Sequence, residues 1–266
     1  MEFGEERRLV ALACRVLAHA GLAEDVLGHV SLRIGADRML VRCRGPQESG
    51  LLFTTPEDVR PVPLDGPYDR LPDGYAVPAE LPIHTETLRR RPEATVVVHA
   101  HPPALVAADL ARLPLRPIFG AYNIPAMRLA LEGIPVYERG VLIRTTDLAG
   151  DMLAAMGDRP VCALRGHGVT VTGATVAQAV VRTLNVEALA RMTLQASRPG
   201  GAPRSLPDED VAELPDLGAE LNEESIWRYR LARLEASGLG LPGSGASTPG
   251  PSGTGRSGYG RLEETR

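Results

Sequence analysis

The sequence predicts an α/β or α+β sandwich with a mainly antiparallel central sheet. Two observations support this prediction. Short segments that alternate with period 2 are joined by turn residues into a hairpin, and amphipathic helical segments lie between strands without regular strand–helix alternation. Regular alternation would instead predict a parallel sheet of the dinucleotide-binding type. At 266 residues, the chain is long enough for one large domain or two small ones.

The N-terminal part is predicted to form one helix followed by the hairpin. Apolar residues recur at helical spacing over residues 6–22, and Gly21 ends that helix. Residues 30–34 and 39–43 alternate as strands, and the Gly-Ala-Asp sequence between them supplies the turn. A third short β segment is expected at residues 51–54, and the Pro-, Gly- and Asp-rich stretch 61–78 is expected to be irregular loop.

The remaining elements are predicted from the same two patterns, the helical spacing of apolar residues and the alternation typical of strands. Helices are predicted at residues 79–90, 103–113, 147–156, 175–195 and 220–236. Strands are predicted at residues 95–100, 134–137, 161–164 and 169–172. From Gly238 the composition is rich in Gly, Ser and Pro, which cannot bury enough apolar surface to offset the cost of ordering. We therefore expect one catalytic domain at residues 1–237 and a disordered tail at 238–266.

Charge and hydropathy exclude several classes of partner. The formal net charge of -4 and the pI of about 5.9 argue against a nucleic-acid-binding surface. No apolar run approaches the roughly 20 residues that a membrane span needs. The start of the chain is acidic and lacks the basic region of a secretory signal. A nucleic acid and a membrane are therefore not expected as partners.

The cysteine and lysine content limits location and chemistry. The three cysteines, Cys14, Cys43 and Cys162, are far apart and have no metal-ligand spacing, so buried thiols in a reducing cytoplasm are expected. The sequence contains no lysine, and a Schiff-base mechanism needs a lysine amine. Lysine-dependent aldolase chemistry is therefore excluded for this chain alone.

One strand carries a pair of histidines at its end. His99 and His101 are two residues apart after a run of β-prone residues, so their imidazoles can lie on the same side of the strand. Pro102 and Pro103 then end the strand. Paired imidazoles at a strand terminus are a candidate half of a divalent metal site, and the alternative is two polar residues at a strand exit.

Other residues could complete such a site. His167 lies between two glycines after an apolar strand, and a third imidazole would leave coordination positions open for water or substrate. Glu80 opens an apolar helix, where an acidic residue is also favoured by the helix dipole alone. His84 is a candidate core or supporting residue, and His29 is a candidate for either substrate contact or a turn.

Together these motifs resemble the class II aldolase/adducin family. The resemblance covers residues 7–195 and is carried, in order, by Gly28-His29-Val30-Ser31-Leu32-Arg33, by Glu80 with His84, by Val97-Val98-His99-Ala100-His101 and by Gly166-His167-Gly168. It implies a three-layer α/β/α fold around a mainly antiparallel sheet and a C4 homotetramer. It also implies that His99, His101 and His167 bind a divalent metal, commonly zinc, with manganese, iron or cobalt as alternatives.

The same resemblance implies roles for the neighbouring residues. Glu80 would be a metal ligand or a general acid/base, with His29 or Tyr122 as a second proton donor. Ser31 lies in the motif that contacts substrate. Arg42 and Arg44 are two apart on a strand, and they would bind carboxylates if they do not simply form a solvated face.

The sequence departs from the sugar-phosphate members of the family. Those members carry a Ser-Ser pair before the carboxylate, whereas Pro78 and Ala79 here offer no side-chain donor for a phosphate. Motifs such as Arg42-Cys43-Arg44-Gly45-Pro46 and Pro117-Ile118-Phe119-Gly120-Ala121-Tyr122 are similar to those of dihydroxyphthalate-type decarboxylases. We therefore expect a metal-dependent lyase that decarboxylates a hydroxylated aromatic acid. The alternatives are an aldolase or epimerase, a non-heme iron oxygenase, and an adducin-like interaction module.

Overall fold

A computed structural model describes residues 2–66, 71–197 and 203–241 of the chain. Its strands are β1 (His29–Arg33), β2 (Arg38–Arg42), β3 (Val59–Pro63), β4 (Val96–Ala100), β5 (Val136–Tyr137), β6 (Val161–Leu164) and β7 (Gly168–Gly173). Its α-helices are α1 (Gly4–His19), α2 (Leu81–Arg90), α3 (Pro103–Leu110), α4 (Ile124–Leu129), α5 (Thr146–Met156), α6 (Val176–Ser197), α7 (Asp208–Glu213) and α8 (Ile226–Ala236). The strands form one sheet in the order β3-β2-β1-β4-β7-β6-β5.

The sheet is mainly antiparallel, as predicted. Neighbouring strands pair antiparallel along its whole length except at the edge, where β5 and β6 are parallel. The irregular alternation of elements in the sequence therefore indicated antiparallel pairing over most of the sheet, and the one strand–helix–strand unit among the paired strands of the described ranges is β5–α5–β6 at the edge.

Helices cover both faces of the sheet and produce the predicted three layers. One apolar cluster joins α1, α3, α6 and α8 to the face that carries Val96, Val98 and Ala100 of β4. A second cluster joins α2 and α5 to the opposite face, which carries Val97. Because side chains alternate along a strand, His99 lies on the same face as Val97. The central strand therefore directs His99 toward the layer formed by α2 and α5.

Two local predictions in the first third of the chain were wrong. Residues 51–54 do not form a strand, because Leu51–Phe53 is a single 3₁₀ turn. The predicted loop 61–78 overlaps a real strand, β3, which contains Pro61 and Pro63. Proline is tolerated there because β3 lies at the edge of the sheet and pairs only with β2.

Two short helices were not predicted at all. Helix α4 is only six residues long, and its first turn is capped by Asn123, whose side-chain oxygen accepts from the Ala126 amide at 3.0 Å. Helix α7 is equally short and follows a proline. Helices of this length show little periodicity in sequence, so pattern analysis does not detect them.

The C-terminal part of the described chain packs on the domain. The predicted helix 220–236 begins as a π-helical turn, Glu220–Ser225, and continues as α8. Beyond α8, Leu241 is buried, and the Leu239 carbonyl accepts from Arg15 Nη1 at 2.7 Å. The first residues of the predicted tail are therefore part of the folded body, and the rest of that prediction, residues 242–266, lies outside the described residues.

No helix in the described ranges has both the length and the apolar character required to cross a membrane.

Candidate active site

Four side chains converge at one end of the central strands. His99 lies in β4, His101 directly follows β4, His167 lies in the turn between β6 and β7, and Glu80 immediately precedes α2. Each can offer one ligand atom, and these four atoms lie within 4.8 Å of one another. The structure therefore brings together three histidines that are far apart in sequence, with the carboxylate beside them.

Strand pairing brings these residues together. β4 pairs with β1 on one side, where His99 lies opposite His29, and with β7 on the other, where Ala100 lies opposite Val169. This register places the turn that carries His167 beside the end of β4. A Cβ atom on Gly168 would lie 2.3 Å from the Ala100 carbonyl oxygen, so only glycine permits this approach.

Glu80 faces the cluster and does not cap its own helix. Its side chain makes no capping bond to α2, and its Oε1 accepts a hydrogen bond from the Ile143 amide at 2.8 Å. Its Oε2 lies 3.4 Å from His99 Nε2 and 3.5 Å from His167 Nε2. Burial raises the pKa of Glu80, but the two imidazoles and the Ile143 amide outweigh burial and hold the pKa below its usual range. The position of Glu80 is therefore explained by its contacts with the cluster and not by a favourable interaction with the dipole of α2 alone.

The donor set fits a divalent cation. His99 Nε2 and His101 Nε2 are 2.9 Å apart, and both ring nitrogens of His167 are buried without a hydrogen-bond partner among the described residues. Burial, assisted by the neighbouring His99 and His167, lowers the pKa of His101 to about 3, which keeps its imidazole neutral. Neutral imidazole nitrogens and a carboxylate oxygen are the ligands that zinc and similar metals prefer.

A buried chain of hydrogen bonds supports the cluster from behind. His29 stacks on His99 with ring centroids 4.9 Å apart, and its Nδ1 lies 2.7 Å from His84 Nε2. His84 Nδ1 lies 2.6 Å from the Ser31 hydroxyl oxygen. Burial lowers the pKa of His84 to about 3, so this ring carries one proton and donates through only one of its nitrogens. If the Ser31 hydroxyl donates to His84 Nδ1, the proton of His84 is on Nε2 and is donated to His29 Nδ1. The proton of a neutral His29 is then on Nε2, which is a donor. If the Ser31 hydroxyl accepts instead, His29 Nε2 is an acceptor.

The cluster borders a pocket of about 260 Å³ with walls of mixed character. Its apolar lining includes Val26, Leu27 and Leu142, and its cationic lining consists of Arg42 and Arg44. Arg42 is buried and forms an ion pair with Glu48, whereas Arg44 is exposed. A flat apolar ring that carries a carboxylate would be complementary to these walls.

A larger cavity, of about 560 Å³, lies between α3, β5 and residues 205–211. None of the four converging residues lines it. The smaller pocket is therefore the candidate active site, since it borders the clustered side chains and the larger cavity does not. Pocket size alone does not identify a reactive site.

Most of the residues predicted from sequence lie at this pocket. Glu80, His29, His101, Arg42 and Arg44 all line it. His99 and His167 are not part of its lining, and they complete the cluster with Glu80 and His101.

Two predicted site residues lie elsewhere. Ser31 has no solvent exposure and contacts His84, so it cannot touch a substrate directly as predicted. Tyr122 is 71% exposed, packs against Phe119 with ring centroids 5.4 Å apart, and does not line the pocket. Its assignment as a second proton donor therefore stays a prediction.

Sequence analysis missed several supporting contacts. The Ile143 amide that orients Glu80 and the Leu142 side chain that lines the pocket lie more than 60 residues away in sequence. His84 had a detectable signal, because it follows Glu80 by one helical turn and therefore faces the same side of α2. A backbone donor from a distant loop has no such signal.

Comparison with known proteins places these features in context. Residues 8–194 match the family model described as Class II Aldolase and Adducin N-terminal domain. The chain is 57% identical to a 3,4-dihydroxyphthalate decarboxylase of Arthrobacter keyseri, over 87% of this chain and 94% of that protein. It is 55% identical to a 3,4-dihydroxyphthalate decarboxylase of Terrabacter sp. strain DBF63, over 87% of this chain and 98% of that protein. The structure is also similar to that of l-fuculose-1-phosphate aldolase from Thermus thermophilus, with a TM-score of 0.61, 28% identity and coverage of 75% of this chain and 99% of that one.

Proposed function

Because the chain belongs to the class II aldolase and adducin family, we propose that it is a divalent-metal-dependent lyase that decarboxylates a hydroxylated aromatic acid of the dihydroxyphthalate type. The observation that carries this proposal is the convergence of three histidines and one carboxylate beside a pocket with apolar and arginine-lined walls. The two decarboxylases of similar sequence support the same reaction.

The proposed metal ligands are His99, His101 and His167, with Glu80 as a fourth ligand or as the acid/base group. When bound, a divalent cation stabilises negative charge on a substrate oxygen while the neighbouring carbon–carbon bond breaks. Zinc is the proposed metal because imidazole nitrogens dominate the donor set, and manganese, iron and cobalt are the alternatives for a metal assay.

The proposed substrate contacts follow from the pocket walls. Arg44 is the exposed cation on the lining, whereas the charge of Arg42 is already balanced by Glu48. We therefore assign Arg44 to the carboxylate that the product retains, with Arg42 reinforcing the same wall. Pro78 and Ala79 line the pocket without side-chain donors, which disfavours a phosphorylated sugar.

Glu80 and His29 are the groups proposed to move protons. Loss of CO₂ leaves the bonding electrons on the ring carbon, so a proton must be delivered to that carbon for the reaction to balance. Glu80 reaches the centre of the cluster, and His29 lines the pocket and is held by His84. Because the Glu80 carboxylate is ionised, we assign it two transfers: it first accepts a proton from a ring hydroxyl of the substrate and then delivers that proton to the ring carbon, with His29 as the second donor.

We further propose that the protein acts as a homotetramer in the cytoplasm. Val26 and Leu27, together with Leu142, are exposed side chains at the pocket mouth, and another subunit would cover such an apolar rim. Size-exclusion chromatography with light scattering tests the assembly, and a monomeric active enzyme would contradict it. The division into a catalytic domain and a tail stays a prediction, which limited proteolysis would test.

The decisive experiment measures CO₂ release from 3,4-dihydroxyphthalate by chelator-stripped and metal-reloaded protein. We expect activity only after reloading, and we expect His167→Ala to abolish it while Arg44→Gln raises KM. An enzyme that consumed no dihydroxyphthalate but released an aldehyde from a sugar phosphate would be an aldolase, and oxygen uptake would identify an oxygenase. Purified protein that binds no metal would favour an interaction module.

A further inference from the structure

Helix α3 contacts both of the chain segments that carry the clustered histidines. It begins two residues after His101, and its last turn contacts the turn that precedes His167. The helix thus spans from one half of the candidate metal site to the other. Asp109, near its C-terminal end, makes the contact to the second half.

The carboxylate of Asp109 binds the turn through both oxygens. Asp109 is buried, and its Oδ2 accepts a hydrogen bond from the Gly166 amide at 2.7 Å. Its Oδ1 forms an ion pair with Arg165, whose Nη1 also donates to the Asp109 carbonyl oxygen at 3.1 Å. Two consecutive residues of the turn are therefore fixed by a single side chain.

The fixed turn sets the direction of the His167 side chain. Gly166 has a φ of +57°, in the left-handed region, and a Cβ there would lie 3.2 Å from a methyl carbon of Leu110. The next amide, that of His167, donates to the Leu164 carbonyl at 2.9 Å. An imidazole has only two rotatable bonds, so its position follows closely from the backbone of this turn.

The opposite end of α3 is held in the same manner. The two carboxylate oxygens of Glu187, on α6, accept hydrogen bonds from the Ala104 and Leu105 amides, each at 3.0 Å. The helix is therefore fixed at both ends by carboxylates and is not free to slide. This makes it a rigid spacer between the two ligand segments.

We propose that Asp109 is a positioning residue for the candidate metal ligand His167. It does not line the 260 Å³ pocket and is not one of the four clustered residues, although it lines the larger cavity of about 560 Å³. It acts through the Gly166 amide and Arg165, which hold the turn in the conformation that points His167 toward His99 and His101. The inference rests on the proposed function because it assigns a metal to that cluster.

The test compares metal affinity among three variants. Asp109→Ala removes both contacts, Asp109→Asn keeps an oxygen for the Gly166 amide, and Glu138→Gln is the matched control. Glu138 pairs with the same Arg165 from the exposed side but does not contact the turn amide. Zinc affinity is measured by competition with a chromophoric chelator, and the Co²⁺ absorption spectrum reports the ligand geometry.

We expect Asp109→Ala to weaken zinc binding by about 10- to 100-fold and to change the Co²⁺ spectrum, as for other groups that orient metal ligands. Asp109→Asn should recover most of that affinity, and Glu138→Gln should stay within about twofold of the wild type. A folded Asp109→Ala protein with wild-type affinity and spectrum would overturn the inference.

If Asp109→Ala does not fold, Asp109→Glu decides the question. It keeps the charge but displaces the carboxylate by one methylene, and affinity should still fall by at least about threefold. Unchanged affinity would overturn the inference. A wild-type protein that binds no divalent cation would instead overturn the proposed function, so the two failures are distinguishable.

Discussion

Replacing Ser31 with alanine measures how much the buried chain behind the cluster contributes. The Ser31 side chain has no exposure, and its hydroxyl oxygen lies 2.6 Å from His84 Nδ1. Alanine would leave that ring nitrogen buried without a partner, which costs about 1–3 kcal/mol. For a domain of this size, the loss corresponds to a fall in Tm of about 2–12 °C. The choice of which His29 nitrogen carries the proton would also no longer be fixed, so kcat should fall with little change in metal affinity.

Urea unfolding followed by circular dichroism measures the free-energy change. Thr193→Val is the matched control, because the Thr193 hydroxyl is equally buried but donates only to the Leu189 carbonyl within its own helix, at 2.9 Å. That carbonyl keeps its backbone bond, so the control should lose less than about 1 kcal/mol. If Ser31→Ala unfolds within about 0.5 kcal/mol of the wild type and keeps its kcat, the reasoning about the hydrogen-bond chain is refuted.

Three further predictions concern stability. Burial raises the pKa of all three thiols, those of Cys14, Cys43 and Cys162, to about 12. Only the unfolded state then loses thiol protons between about pH 9 and 12, so stability present below pH 9 falls by about 1–2 kcal/mol per thiol at pH 10. If the free energy of unfolding, measured by urea titration, fell with pH as steeply in a triple Cys→Ala variant as in the wild type, this prediction would be contradicted. Gly168→Ala should cost at least about 2 kcal/mol because its Cβ would lie 2.3 Å from the Ala100 carbonyl oxygen, whereas Gly35→Ala, with no atom nearer than 3.8 Å, should stay within about 0.5 kcal/mol in the same unfolding assay. Zinc at a concentration of 100 times its Kd should stabilise the metal-free protein by about 2.7 kcal/mol, seen as a rise in Tm in a thermal-shift assay. The His167→Ala variant should show no rise in Tm.

Periodicity was sufficient to predict most of the fold. The strand that carries His99 was recognisable because a β-prone run ends at two prolines, and its alternation predicted that His99 and His101 lie on the same side, where both now belong to the four-residue cluster. The edge strand β3 was missed because Pro61 and Pro63 are typical of loops, and only its position at the edge of the sheet makes them acceptable.

The candidate site was predictable only where residues form local motifs. The His-x-His and Gly-His-Gly motifs both lead to the cluster, as does the Glu80 motif. The contacts of Ile143 with Glu80 and of Asp109 with Gly166 depend on how distant segments meet in space, which no spacing in a single sequence encodes. Tyr122 shows the opposite case, because a short motif suggested a role at the site and yet its side chain is exposed and does not line the pocket.

The two edges of the sheet determine how copies of this protein can associate. On one side β3 exposes prolines, which have no amide to donate, and on the other β5 is only two residues long. Among the described residues, both borders are therefore poor templates for an incoming strand, which disfavours filament growth by strand addition. We therefore expect any association of copies to use side-chain surfaces, which form finite rings when the rotation between subunits closes.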